Sequence, residues 1–421
     1  MSEERKSSLE ELRAAEARLL VPTYDRNAVL FERGEGVHLI DEHGERYLDL
    51  LSGIGVNALG YAHPAIERAI VEQSRKLIHT SNLYFHRGQA ELALRLVERT
   101  GLDRIFFANT GTEAWEGALK FARAHAGMLR SEGMRIGTKF LAMEHSFHGR
   151  TYGSVATTHK LKYREPFEPV MPGVEFVRFN DVADLRTKFS EDVCAVLVES
   201  IQGEGGIRPL SLEFAQVARE LTRTTGALLV VDEIQAGMGR TGKWFGYQHL
   251  SILPDVTTIA KPLAGGIPLG AIACTDEVAR AIHPGMHGTT FGGGPLACAV
   301  AIAVIDAIEN EGLLAHALEV GGYFQHRLRE LHKRHTMIAE VRVIGLMVAA
   351  ELHSSTLARQ VVKRMLERRI LINCTSDTVL RFLPPLVVTK ADIEEAIQAL
   401  DAILTEETAE AQLAGGNKDG Q

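Results

Sequence analysis

The chain has 421 residues, of which 45% are hydrophobic and 24% charged, with a formal net charge of −8. That is ordinary globular composition, long enough for roughly two or three domains around a large core. The acidic balance argues against a nucleic-acid surface, and no apolar segment approaches the roughly eighteen residues that a membrane span needs.

The basic run His332 to His335, HKRH, reads as a solvated helix face. The acidic N-terminus, MSEERKSSLEELRAAEARLL, is unlike a signal or transit peptide, so a cytoplasmic location is expected. Cys194, Cys274, Cys298 and Cys374 lie far apart without a CxxC, which points to reduced thiols and away from a disulfide frame or a zinc site. His145 and His148 form HxxH, but no third ligand cluster follows, and no metal is expected.

In chain order, the first twenty residues read as an amphipathic helix, and Pro22 and Asn27 mark irregular chain after it. Val29 to Leu51 has two breaks with strand-like runs between them, so small antiparallel strands are expected. Pro64 suits the first turn of a helix. RIFFAN, from Arg104, reads as a strand, and TGTEA turns into a helix with apolar positions at Ala114, Trp115, Ala118, Leu119 and Ala122. Gly111 and Thr112 then fall at a helix N-terminus, where free amides and the dipole favour a phosphate, although a plain capping turn would look the same. KFLAMEHSFHGRT sets another apolar run before Phe147, an aromatic able to stack on a flat ring, and Arg150, able to grip a carboxylate at two points. From these residues alone, a core phenylalanine and a surface arginine are the favoured readings. Ala195 to Ser200 is a further strand, and Gly203, Gly205 and Gly206 leave Glu204 on a permissive loop.

The stretch from Gly226 to Ala271 is the most informative. Two short runs of β-branched and aliphatic residues, Leu228 to Val231 and Val256 to Ala260, suggest strands covered on both faces of a parallel sheet. One meets Asp232 and the other Lys261, 29 residues later. Ligands of such sheets collect at the carboxyl ends of the strands, so both groups are expected to face one crevice. A lysine followed by Gly265 and Gly266 suits condensation with an aldehyde cofactor, and an aspartate suits a pyridinium nitrogen; pyridoxal phosphate needs both. For the pair alone, a buried ion pair is the competing reading. GMGRTGKW, Gly237 to Trp244, fits GxxxxGK, but Trp244 stands where a phosphate-loop hydroxyl belongs, and the segment does not leave a strand directly. Beyond a glycine-rich loop at HPGMHGTTFGGGP, helical periodicity dominates from about residue 310, followed by VRVIGLMVAAEL, a helix near Leu357 to Arg369, VLRFLPPLVV and a last helix from Ala391. No internal repeat is present.

SGIGVNALGYAHP, NTGTEAWEGALKFAR, HSFHGRT, VESIQGEGG, VVDEIQAGMGRTG, AKPLAGGIPLGA, HGTTFGGGPLACAVA and LRFLPPLVV resemble, in order, segments of the class III (omega-amino-acid) pyridoxal-phosphate aminotransferases, most closely the acetylornithine branch. The likeness runs from about Tyr24 to Val388. It implies an α/β, fold-type I architecture: a large domain over 71–310 with a mostly parallel central sheet, and a smaller α+β domain from both termini, 1–70 and 311–405. Residues 406–421 are expected, from composition, to be a disordered tail.

The resemblance also implies roles. Lys261 holds pyridoxal 5'-phosphate and moves the proton, Asp232 holds the ring nitrogen, Gln235 contacts the ring hydroxyl, Phe147 stacks on the ring, and Gly111 and Thr112 bind the phosphate. Thr290 is implied to cross a homodimer interface to the partner's cofactor phosphate. Arg150 is implied to take the carboxylate of the amino donor, and Glu204 to neutralise Arg381 until glutamate or 2-oxoglutarate needs it. Tyr24 and Ile54 are implied in the donor site. Ile54 stands where ornithine aminotransferases carry a tyrosine, which favours an acylated amine such as N-acetylornithine or N-succinyl-diaminopimelate, with 4-aminobutyrate as the rival. Racemases and mutases share the scaffold, but Arg381 and Glu204 argue against them. Three positions depart from the family pattern: Ser200 for proline, Trp115 for asparagine, and Gly294 for the asparagine of GGNP.

Overall fold

The structure is a computed structural model that describes residues 8–416. Its N-terminal part comprises α1 (Leu9–Leu19), the strands β1 (Phe31–Glu35), β2 (His38–Asp41) and β3 (Arg46–Asp49), and the helices α2 (Pro64–Ser74) and α3 (Arg87–Thr100). The central part comprises β4 (Arg104–Ala108), α4 (Gly111–Ser131), β5 (Lys139–Met143), β6 (Val174–Val177), α5 (Val182–Lys188), β7 (Val193–Glu199), α6 (Leu212–Thr225), β8 (Leu228–Asp232), β9 (Val256–Ile259), β10 (Gly270–Cys274) and α7 (Pro295–Asn310). The C-terminal part comprises α8 (Leu313–Arg334), β11 (Ile338–Ile344), β12 (Met347–Leu352), α9 (Ser355–Glu367), β13 (Ile370–Leu371), β14 (Asn373–Thr375), β15 (Val379–Phe382) and α10 (Lys390–Gly416). Shorter turns and one two-residue strand pair connect them.

The central sheet runs β4-β10-β9-β8-β7-β5-β6. All its strands are parallel except β10, which pairs antiparallel with both neighbours. Every residue of β7 and β8 is buried, as continuous aliphatic runs demand of strands with helices on each face. The two-residue side-chain period divides these runs between two cores. Val196, Val198, Leu229 and Val231 join the core that contains Phe214 of α6 and Val300 of α7. Ala195, Leu197, Leu228 and Val230 join the one that contains Ala114 and Trp115 of α4. The fold is the expected α/β arrangement, with the carboxyl ends of β4, β5, β7, β8 and β9 along one edge.

Two smaller sheets flank it. In the order β1-β2-β3-β13, Leu48 pairs with Ile370 in parallel, so strands from opposite ends of the chain share one sheet. The other, β11-β12-β15-β14, is antiparallel and carries Arg381 in β15.

At the N-terminus, Ser8 and Glu11 form a reciprocal cap on α1, and residues 1–7 lie outside the described ones. At the other end the expected disordered tail needs correction. Helix α10 continues through Gly416, and only 417–421 lie outside the described residues. Alanine and glutamate dominate this stretch and are strong helix formers. Arg364 pairs with Glu406 and Glu407, and Arg368 also holds Glu406, which ties the helix to α9. No helix of the described residues is long and apolar enough to cross a membrane.

Candidate active site

The parallel register sets Glu199, Asp232 and Thr258 side by side at the ends of three adjacent strands. Asp232 is 5% exposed, and its carboxylate is held from three directions. Oδ1 accepts from the Ile234 amide at 3.0 Å and the Thr258 hydroxyl at 3.2 Å; Oδ2 accepts from His148 Nδ1 at 2.7 Å. Lys261 follows β9 after one residue and opens a tight turn with φ +42°, in the left-handed region. A non-glycine residue there carries backbone strain, of the kind that collects at functional sites. Burial lowers the basicity of its amine, and the charges of Asp232 and Glu204 oppose that without reversing it.

These groups open on a cavity of about 350 Å3, within the range of small-ligand sites. The start of α4 is part of its lining. Thr110 caps the helix through the Glu113 amide at 3.2 Å. The next amides, of Gly111 and Thr112, have no helical carbonyl to bind and confer the positive end of the dipole. The close fit needs glycines. A Cβ on Gly270 would lie 2.4 Å from the Thr110 carbonyl oxygen, and one on Gly149, at φ +129°, would lie 2.4 Å from Thr112 Oγ1.

Glu204, which also lines the cavity, forms an ion pair. Glu204 Oε1 lies 2.5 Å from Nη1 of Arg381, which is 1% exposed and also donates to the Gly203 carbonyl and to Gln235 Oε1, each at 3.3 Å. Burial pulls the Glu204 carboxyl upward, but the Arg381 charge and hydrogen bond outweigh it and hold the group below its usual range. The Glu204 carbonyl accepts from the hydroxyls of Thr375 at 2.6 Å and Ser376 at 3.0 Å, so its backbone is fastened while the side chain projects into the cavity.

A buried lysine amine and a pinned carboxylate that share a cavity with a helix N-terminus can take an anionic carbonyl compound and transfer a proton to or from it. Comparison with known proteins gives that arrangement a family. The family model for class III aminotransferases matches residues 21–404. The chain belongs to the class III aminotransferases.

This aminotransferase is 45% identical over 383 residues to the acetylornithine aminotransferase of Methanocaldococcus jannaschii, a match covering 91% of this chain and 95% of that one. It superposes with TM-score 0.91 and 31% identity on an ornithine aminotransferase from Toxoplasma gondii, with pyridoxal phosphate at the active site of that protein, covering 97% of both chains. With the acetylornithine aminotransferase from Elizabethkingia anophelis the TM-score is 0.84 and the identity 29%, over 95% of this chain and all of that one.

Of the residues singled out in the sequence, Gly111, Thr112, Phe147, Glu204, Asp232, Gln235 and Lys261 line the aminotransferase cavity, and Arg381 bonds directly to two of them. Four others do not line it in the single chain. Arg150 is exposed, with its guanidinium 3.7 Å from the centre of the Tyr163 ring and 5.6 Å from that of Phe147, so it stands at the rim behind the phenylalanine. Ile54 is 40% exposed on a left-handed turn two residues from the lining Val56. Tyr24 is 75% exposed beside Arg26, on the irregular segment after α1, and Thr290 is exposed on the glycine-rich loop.

The sequence reading missed Glu199 and His148. Glu199 carries the same signal as Asp232, an acid that ends an aliphatic run. In the sequence His148 stands out only as half of HxxH, and among the described residues no group of three or more His, Cys, Asp and Glu could hold a metal. Glu199 accepts from the amides of Phe147 and Gly203, each at 3.0 Å, and so ties the ring-stacking candidate to the glycine loop. Burial, helped by the Asp232 charge, pushes its carboxyl up from 4.5 to about 8. The folded state therefore binds this proton more tightly than the unfolded chain does, and stability falls as pH rises from about 5 to 8. Urea midpoints of Glu199→Gln should vary less across that window than those of the parent. Equal slopes would remove Glu199 as the source.

Proposed function

We propose that the enzyme moves the omega-amino group of N-acetylornithine, or of a similarly acylated diamino acid, to 2-oxoglutarate, using pyridoxal 5'-phosphate and working as a homodimer with shared sites. The observation that carries this reading is the convergence of Lys261 and Asp232, from adjacent parallel strands, on a cavity walled by a helix N-terminus.

The donor set fits pyridoxal phosphate. Lys261 offers a desolvated amine, the first turn of α4 suits a phosphate, Phe147 supplies a flat apolar face, and Gln235 a polar contact. Asp232 has three donors and retains one of the roughly four acceptor positions of a carboxylate, which suits a ring nitrogen. When bound, the cofactor supplies an aldehyde carbon and a ring that accepts electrons. With the cofactor in place, Lys261 would hold its aldehyde carbon and, once free, its amine would carry the proton away from, or back to, the reacting substrate carbon. Asp232 keeps the ring nitrogen protonated throughout. Arg150 receives the donor carboxylate while Glu204 cancels Arg381; for glutamate, Glu204 withdraws and Arg381 takes the second carboxylate.

The donor assignment rests on Ile54 and on the relatives named above. The second subunit is supported by an exposed apolar patch, Leu83, Tyr84, Phe85 and Phe291, next to Thr290. Asn82 donates to the carbonyls of Thr289 and Gly292, joining the two segments of that patch. A panel of N-acetylornithine, N-succinyl-diaminopimelate, ornithine and 4-aminobutyrate, scored by glutamate formed from 2-oxoglutarate, tests the donor. The acylated donors are expected to give the highest kcat/KM, and a clear lead for ornithine or 4-aminobutyrate would overturn the assignment.

A further inference from the structure

Trp115 departs from its family pattern, and its surroundings give it work. The indole is fully buried in the first half of α4 and lies parallel to the His148 imidazole, with ring centres 3.8 Å apart and planes at 7°. Its own orientation is fixed, because Nε1–H donates to Thr157 Oγ1 at 2.9 Å and that hydroxyl is held against the carbonyls of Gly153 and Ser154. The His148 backbone is fastened as well, its amide donating to Thr158 Oγ1 at 3.0 Å. Between these restraints the imidazole presents Nδ1–H to Asp232 Oδ2 at 2.7 Å, while Nε2 is buried without a hydrogen-bond partner. A ring with a single polar contact is oriented by that contact and by whatever covers its face. Here the cover is the indole.

We propose that Trp115 and His148 are positioning residues for the cofactor: Trp115 clamps the imidazole, and His148 sets the Asp232 carboxylate so that its free acceptor position is aimed at the ring nitrogen of pyridoxal phosphate. This rests on the assignment of Asp232 to that nitrogen. The donors to Oδ1, from Ile234 and Thr258, fix one oxygen only, and the carboxylate plane needs a second anchor on Oδ2. The other charged groups around Asp232 are Glu199, Glu233 and Lys261. None of these donates to Oδ2, so the anchor comes from His148. A residue that merely fills the core weakens every ligand of the cavity alike. A residue that aims Asp232 affects only a ligand with a nitrogen to receive it.

The experiment compares apo-protein binding of pyridoxal phosphate with that of its deaza analogue, in which the ring nitrogen is replaced by C–H. Trp115→Leu and His148→Leu are expected to weaken pyridoxal phosphate about tenfold, the worth of one hydrogen bond to a charged group, and to leave the analogue within about twofold. Trp115→Phe, which keeps a stacking face, should bind both about as the parent does. Equal losses for the two ligands, or no loss for either, would overturn the inference. A measurement on the parent needs no variant to fold: the His148 Nδ1 nitrogen resonance should move when pyridoxal phosphate binds and stay in place with the analogue, and the same response to both would refute the aiming. Borohydride trapping separates the two layers. A parent protein that traps the cofactor on Lys261 but gives equal losses defeats this inference alone, whereas a parent that binds no pyridoxal phosphate defeats the assignment of Asp232 with it.

Discussion

Lys261→Met is expected to abolish turnover and, at the same time, to stabilise the protein without cofactor. The first effect follows from the two roles proposed for one amine, as the covalent anchor of the cofactor and as the carrier of the substrate proton. General acid–base catalysis alone contributes about 10² to 10⁴ in rate, and no other amine is placed to substitute. Among the described lining residues of the cavity, Lys261 is the single lysine. The second effect follows from linkage. Burial holds the Lys261 amine below its usual 10.5 in the folded state, so below that pH the unfolded chain binds the proton more tightly, and folding works against the charge. An uncharged side chain of similar length removes that opposition. Single-turnover absorbance with glutamate measures the loss, and thermal unfolding of the apo-proteins at pH 7 measures the gain. A methionine variant that is inactive but less stable than the parent would mean that the attraction of Asp232 and Glu204 outweighs desolvation, contrary to the argument.

Much of this site was legible because the chemistry falls at the ends of runs. The strand that ends in Asp232 is aliphatic, the β-branched run of β9 that leads to Lys261 is equally buried, and a parallel sheet places such ends on one edge. The start of α4 was equally clear from the turn at Thr110 and the spacing of Ala114, Trp115 and Ala118. What the pattern could not give was lateral contact. Nothing in the order of residues puts the imidazole of His148 beneath Asp232 or an indole across its face, because those contacts link three elements. Glu199 was missed for a different reason. It ends an aliphatic run just as Asp232 does, so its place at a strand end was legible; only its register beside Asp232 depends on strand pairing, which the sequence of one strand does not encode. Tyr24, Ile54 and Thr290 were named by likeness to a family and Arg150 took its role from it, and a single chain does not bring them to the cavity. At the C-terminus, weak hydrophobicity suggested disorder where local helix propensity and three arginine–glutamate pairs prevail.

Arg381→Ala is expected to split the two halves of the reaction. The guanidinium is buried, and its Nη1 already meets Glu204, so during reaction of a donor with one carboxylate it presents no net charge to the substrate. Its removal should change that half by no more than a few-fold, through loosening of the glycine loop that it holds at the Gly203 carbonyl. Glutamate and 2-oxoglutarate carry a second carboxylate, which in the proposed gate needs the cation. A charge-assisted pair contributes about 1.5–3 kcal/mol, so the single-turnover rate with 2-oxoglutarate should fall about tenfold to a hundredfold. Alanine also leaves Glu204 in the cavity wall without its cation, an anion that now repels the incoming carboxylate and adds to the loss. Glu204→Gln separates the two contributions, because it frees Arg381 while keeping the side-chain volume. That variant should bind 2-oxoglutarate more tightly and discriminate less against ordinary alpha-amino acids. If Arg381→Ala slowed both half-reactions equally, Arg381 would be a structural cation, and the Glu204 pair a fixed strut between the glycine loop and β15 instead of a gate.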